Sequence, residues 1–198
     1  MTEDERLLIK QSKCGSVDSF EQLIEDNRKK VYNIALRMLG NPEDANDVTQ
    51  EVFLRVFKSM RGFKEQSSFS TWIYRITKNV CLDEIRKKKK NNLVYIDKQI
   101  EYGDGQVTMQ LEDERETPEE AAERTELSLR VREAIAMLPE QHRILIVLRD
   151  IQNFSYDEIA DILKCPDGTV KSRINRARSA LREILHSRKE LFNEDYVK

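Results

Sequence analysis

S-Y-D-E-I-A-D-I-L-K-C-P-D-G-T-V-K-S-R-I-N-R-A-R-S-A-L-R-E-I-L, from Ser155 to Leu185, is the stretch around which the rest of the chain is read. Ser155 and Glu158 have the spacing of a capping box, which satisfies two orphan amides at a helix start. Ile159, Ala160, Ile162 and Leu163 give the helix that follows an apolar face. Lys164 and Cys165 make a turn, and Pro166 suits the first position of a second helix, where its missing N–H costs nothing. Two helices joined by so short a turn form a helix-turn-helix. At 100° per residue, Val170, Ile174, Ala177, Leu181 and Leu185 of the second helix share one side and should pack on the first.

The opposite side carries Lys171, Ser172, Asn175, Ser179 and Arg182, with Arg176 and Arg178 on its flanks. Most charged helix faces are simply solvated. This one is nearly one-signed, with Asp167 and Glu183 the only acids between Asp167 and Lys189. Lys, Arg, Ser and Asn are the side chains that reach phosphates and base edges in a major groove, so the face reads as nucleic-acid binding.

The net charge of −2 over 198 residues looks wrong for such a role until it is divided. From Asp97 to Glu126 there are 11 acidic and 3 basic residues; the remainder of the chain carries 31 basic and 25 acidic. The basic parts suit DNA and the acidic segment repels it. The N-terminal Thr2-Glu3-Asp4-Glu5 is followed by no apolar stretch, so a signal peptide is not expected. The longest aliphatic run, Ile144 to Leu148, is far too short to span a bilayer. Cys14, Cys81 and Cys165 are widely separated, which fits a reducing cytoplasm and neither a disulfide framework nor a zinc site. His142 and His186 read as surface or packing residues. No cofactor and no metal are expected.

The rest of the chain reads as helices. Thr2 with Glu5 caps a short first helix ending at Gly15, and Ser16 or Asp18 caps a second that runs to Gly40. Pro42 starts a third, ending near Gly62. A polar loop from Phe63 to Phe69 precedes a fourth helix, capped by Ser68 or Ser70 and running out into Arg86-Lys87-Lys88-Lys89-Lys90. Thr117-Pro118-Glu119-Glu120 is a strong helix start, and Pro139 opens another helix. No segment alternates with period two for long, so strands are not expected. The fold class is all-α: two small helical domains, residues 1–92 and 118–198, joined by an acidic flexible linker, 93–117.

These residues resemble the extracytoplasmic-function sigma factors of bacterial RNA polymerase, over nearly the whole chain. Asp47-Val48-Thr49-Gln50-Glu51-Val52-Phe53 is similar to the family's segment that binds the clamp helices of the largest polymerase subunit. Phe69-Ser70-Thr71-Trp72-Ile73-Tyr74-Arg75-Ile76-Thr77-Lys78-Asn79 is similar to the segment that melts and reads the minus-ten promoter element. Leu138-Pro139-Glu140 and Cys165-Pro166-Asp167-Gly168-Thr169-Val170-Lys171-Ser172-Arg173 are similar to the domain that reads the minus-thirty-five element. Asp167 departs from the family, which often has an apolar residue there.

The resemblance implies a promoter-recognition factor that works only with core RNA polymerase, is not itself an enzyme, and has promoter DNA and an anti-sigma factor as further partners. It implies that Asp47, Gln50 and Glu51 meet polymerase, that Asn79 lines a pocket for a flipped-out base, and that Lys171, Ser172, Asn175, Arg176 and Arg178 meet the minus-thirty-five DNA. The residue chemistry adds Phe69, Tyr74 and Trp72 as rings that stack on unpaired bases, with core packing the stronger reading for Trp72. Arg75, Arg86 and Lys87 complete the minus-ten side, where a basic run suits backbone phosphates. Two other readings stay open. A free-standing helix-turn-helix regulator would bind duplex alone, ordinarily as a dimer. A nucleic-acid enzyme would use Asp44, Asp47 and Glu51 on a metal, on weak evidence.

Overall fold

The computed structural model describes residues 2–94 and 118–193. Every regular element among them is helical. Four helices form the N-terminal half: α1 (Glu3–Lys13), α2 (Val17–Leu39), α3 (Pro42–Ser59) and α4 (Phe69–Val94). A single 3-10 turn, Met60–Gly62, closes α3. The C-terminal half holds α5 (Pro118–Met137), α6 (Glu140–Ile146), α7 (Tyr156–Leu163) and α8 (Asp167–Asn193).

Local chemistry sets the helix starts. The Thr2, Ser16 and Asn41 side chains accept the backbone N–H of Glu5, Ser19 and Glu43. Each thereby satisfies one of the amides that a helix N-terminus leaves without a partner. Ser68, and not Ser70, begins α4: its Oγ accepts the Thr71 N–H at 3.0 Å. Ser155 and Glu158 form the full reciprocal capping box. Gly40 ends α2 with φ +78°, the left-handed conformation in which glycine carries no Cβ penalty. Lys164 ends α7 in the same region, at φ +52°, and makes the tight turn of the helix-turn-helix. The helix after that turn begins at Asp167, so Pro166 stands just before it, with the Pro166 carbonyl accepting from Thr169.

Apolar periodicity sets the packing. Val31, Ala35 and Met38 of α2 meet Ala45, Val52 and Val56 of α3 and Ile73 of α4, all fully buried. In the other half, Ile144 to Leu148 is buried throughout, against Ile159 and Ile162 of α7 and Val170, Ile174 and Ala177 of α8. Truncating one such Ile or Leu to Ala costs about 2–5 kcal/mol.

One element is not what the pattern suggests. The helix from Glu140 does not stay α-helical: residues Val147–Ile151 form a π segment. The Gln152 N–H reaches the Val147 carbonyl at 2.9 Å, an i to i+5 bond, and the Phe154 N–H reaches Leu148 at 3.0 Å. Such a segment is wound more widely than the α-helix it ends, with i to i+5 bonds in place of i to i+4.

The two halves lie against each other, and one buried cluster draws residues from both. The Tyr74 and Phe154 rings meet edge to face, 5.0 Å between centroids. Arg143 donates through Nη1 to the Met38 carbonyl at 2.6 Å and through Nη2 to Leu138 at 3.1 Å. Lys89 pairs with Glu140 at 2.9 Å. α4 runs to Val94, two residues into the stretch expected as linker; residues 95–117, the rest of that stretch, lie outside the described residues.

Candidate nucleic-acid interface

α8 presents its polar face as the spacing requires. Val170, Ile174 and Ala177 are buried against α6 and α7, while Lys171, Ser172, Asn175, Arg176 and Arg178 are exposed. These five side chains share one helix, but they are not equally free. Arg178 is held by Asp150, its Nε 3.2 Å from one carboxylate oxygen and a second nitrogen on the other. That pairing raises the guanidinium's pKa further. Asp150 belongs to the π segment, so the wider winding there helps set where Arg178 points.

The second region is the loop 63–68 folded back over α4. Lys64, Gln66 and Ser67 of the loop and Trp72, Arg75 and Asn79 of α4 enclose a cavity of about 270 Å³. Asn79 is exposed and its side chain makes no hydrogen bond among the described residues. Its amide is therefore available, with two donors and an acceptor. Lys164, from the turn of the other half, also lines this cavity. Arg75 is drawn across by the same half, where its Nε donates to the Asp161 carbonyl.

Two rings expected to stack on bases do not present a face. Phe69 is 1% exposed, packed with Phe63 and Trp72 at centroid separations of 5.7 and 5.9 Å. Tyr74 is 4% exposed, and its hydroxyl donates to Asn27 Oδ1 at 2.8 Å. Burial, then the Glu158 and Asp26 carboxylates, push its phenol up to about 12. Both rings sit on the apolar side of α4, where hydrophobic burial outweighs exposure for stacking.

The basic run at the end of α4 is matched by acids. Arg86 lies 3.5 Å from Asp83 and Lys87 3.6 Å from Glu84. Lys88 pairs with Asp44. The surface expected for polymerase divides in two. Asp47 and Glu51 line an acidic cavity of about 440 Å³ with Asp44, Asp83 and Glu84. Glu51 there accepts from Arg55 at 2.6 Å. Gln50 faces the other way, into a groove between α2 and α3 with Tyr32, Thr49 and Phe53. Leu54 stands beside it, 53% exposed. Adjacent residues on a helix stand about 100° apart, and here Gln50 and Glu51 line different cavities on different faces of α3.

Sequence reasoning passed over Lys78, Arg143, Phe154 and Lys164, because their roles come from contacts between the halves and leave no local signal. No group of three or more metal-ligating side chains occurs among the described residues. No helix among them is long and apolar enough to cross a membrane.

Comparison with known proteins follows the same division. Residues 23–91 match Sigma-70 region 2, and residues 128–181 match Sigma-70, region 4. The chain is 41% identical over 179 residues to the ECF RNA polymerase sigma factor SigW of Bacillus subtilis, covering 89% of this chain and 94% of that one. It is 32% identical over 181 residues to the ECF RNA polymerase sigma-E factor of Escherichia coli, covering 89% and 92%. Among solved structures, CnrH in complex with the cytosolic domain of CnrY superposes with a TM-score of 0.63 at 25% identity, over 93% of this chain and 99% of that one. The sigma factor RpoE in complex with the anti-sigma factor NepR from Bartonella quintana shares the fold at 24% identity, with a TM-score of 0.64 over 86% and 98%. With both regions matched in order and relatives covered almost end to end, the chain belongs to the ECF RNA polymerase sigma factors and is a promoter-recognition factor for transcription initiation.

Proposed function

We propose a division of labour among the surfaces described above. Lys171, Ser172, Asn175, Arg176 and Arg178 of α8 meet the minus-thirty-five element, with phosphate contacts positioning the helix and base contacts specifying the sequence. The cavity under the 63–68 loop takes one extruded base of the melted minus-ten strand, and Asn79 reads its Watson–Crick edge. The polymerase-facing surface is α3 itself: the groove holding Gln50 and Phe53 on one side, the acidic cavity holding Asp47 and Glu51 on another, and the exposed Leu54 one turn beyond Gln50. The protein acts by binding energy, not as an enzyme, and works in the cytoplasm beside its polymerase.

The observation that carries this reading is the Asn79 cavity. A polar loop folded over an exposed amide, beside Arg75 and Lys64, suits an unpaired base and its phosphate. In the closed arrangement Lys164 occupies part of that wall. Two promoter elements about two helical turns apart lie roughly 70 Å from each other, so the halves must separate on DNA. RpoE is seen with the anti-sigma factor NepR, and CnrH with the cytosolic domain of CnrY. For this chain we take such a partner to favour the closed arrangement over the open one.

The test is transcription with core polymerase on templates that are fully duplex or already melted at the minus-ten element. Asn79→Ala should slow open-complex formation on the duplex and flatten the base preference on the melted template. Binding through Lys171 and Arg176 should persist. An Asn79→Ala protein with full base preference refutes the pocket.

A further inference from the structure

The cleft between the halves is a cavity of another kind. α4 contributes Lys78, α6 His142, and α8 Arg173 and Arg176, around about 490 Å³. No carboxylate is among the described residues that line it, and Leu82 and Leu145 form apolar walls. Several other cations pair with carboxylates: Arg55 with Glu51, Lys89 with Glu140, Arg178 with Asp150. Lys78, Arg173 and Arg176 have none among the described residues. His142 adds a buried Nδ1 with no hydrogen-bond partner. Lys78 is half-buried, and its ammonium is held below its ordinary range by lost hydration first, then by repulsion from Lys164, Arg75 and Arg86.

Like charges gathered in a partly dehydrated space oppose the closure that gathers them. An anion there removes the opposition, since low-dielectric walls strengthen its attraction to each cation. We infer that this cleft binds a compact multivalent anion of the diphosphate class, held by Lys78, Arg173 and Arg176, with His142 as a further hydrogen-bonding group. A cavity of about 490 Å³ has room for a small anion but cannot enclose a duplex, whose major groove alone is ~12 Å wide. The ligand touches both halves at once, so its occupancy favours the closed arrangement by mass action. It also takes Arg176 away from DNA; that consequence alone rests on the function proposed above.

Isothermal titration of the full chain with sodium pyrophosphate, at low ionic strength and without polymerase or promoter, tests the site. Saturable one-to-one binding is expected, with orthophosphate at least ten-fold weaker. Lys78→Gln and Arg176→Gln should each weaken pyrophosphate at least five-fold. Lys58→Gln, an exposed change on α3 away from the cleft, should leave it unchanged. Absence of saturable binding, wild-type affinity in either cleft variant, or equal loss in Lys58→Gln overturns the proposal. A parallel titration with a short duplex separates free phosphate from DNA backbone: Lys78→Gln should leave duplex affinity unchanged, and an equal loss for duplex and pyrophosphate overturns the small-anion site. Asn79→Ala should bind pyrophosphate normally, so the base pocket and the anion cleft stand or fall apart.

Discussion

Arg75 Nε donates a 2.7 Å hydrogen bond to the backbone carbonyl of Asp161, joining α4 of one half to α7 of the other. A bond from a charged donor is worth about 1.5–3 kcal/mol when well buried. Partial exposure brings this one to about 1 kcal/mol. Arg75→Ala should therefore leave each half folded but move the closed-to-open ratio about five-fold toward open. Small-angle scattering should show a larger radius of gyration with unchanged helical circular dichroism. An unchanged radius removes Arg75 as a tie between the halves.

Tyr74 gives the closed arrangement a pH signature. Its phenol is pushed up to about 12 by burial and by Glu158 and Asp26, while the unfolded chain titrates near 10. The unfolded state thus releases this proton first, and between about pH 10 and 12 it binds fewer protons than the folded state. Stability from this group is full below about pH 10 and is lost as pH rises toward 12. Denaturant unfolding at pH 8 and pH 11 should show a steeper loss for the natural protein than for Tyr74→Phe.

Phe69 and Asn79 should separate stability from recognition. Phe69→Ala empties the space between Phe63 and Trp72 and should cost about 3–5 kcal/mol in denaturant unfolding. Asn79→Ala removes an exposed amide and should stay within ~0.5 kcal/mol. If Asn79→Ala destabilises as Phe69→Ala does, the amide is structural.

Leu54 offers a clean probe of the proposed polymerase face. It is 53% exposed, one helical turn beyond Gln50, so Leu54→Lys should leave unfolding within ~0.5 kcal/mol of the natural protein. Association with core polymerase should weaken at least ten-fold, about 1.4 kcal/mol or more, through a charge placed at an apolar contact. Equal affinity by fluorescence anisotropy would move the interface elsewhere.

The thiols should report folding. Cys81 is fully buried and its thiol is pushed up to about 12 by lost hydration, whereas Cys14 is exposed. Thiolate is the reactive form, so a disulfide reagent at pH 8 should modify Cys14 on mixing and Cys81 only after unfolding. Mass spectrometry of the mixture against time distinguishes the two.

What was legible in the sequence was local. Thr2, Ser16 and Ser155 cap helices because a side-chain oxygen needs only the amides three residues ahead. Ile174 and Ala177 are buried as their spacing requires, and the polar residues between them are exposed. What was not legible depends on the partner surface. Phe69 and Tyr74 looked available to bases because their types allow stacking, yet the folded-back loop sets Phe63 beside Phe69 and Trp72, and the remote Asn27 and Phe154 enclose Tyr74. Gln50 and Glu51 are adjacent in sequence, yet α2 takes one into its groove and α4 takes the other. The π segment leaves no trace in Val147-Leu148-Arg149-Asp150-Ile151, which reads as continuous helix.

That segment makes the chain unusually sensitive to counting. Its wider winding sets the angular phase of Asp150 and the approach to Phe154, and two remote contacts depend on these: Asp150 on Arg178, and Phe154 on Tyr74. Loss of a single codon between 147 and 151 would remove little mass and no obvious motif. It would turn the rest of the segment, Asp150 among it, by about 100°, one residue's share of a helical turn, and shorten the approach to Phe154. The hold on Arg178 and the seam between the halves would be misaligned by the same event, so genetic drift in length is less tolerable here than drift in composition.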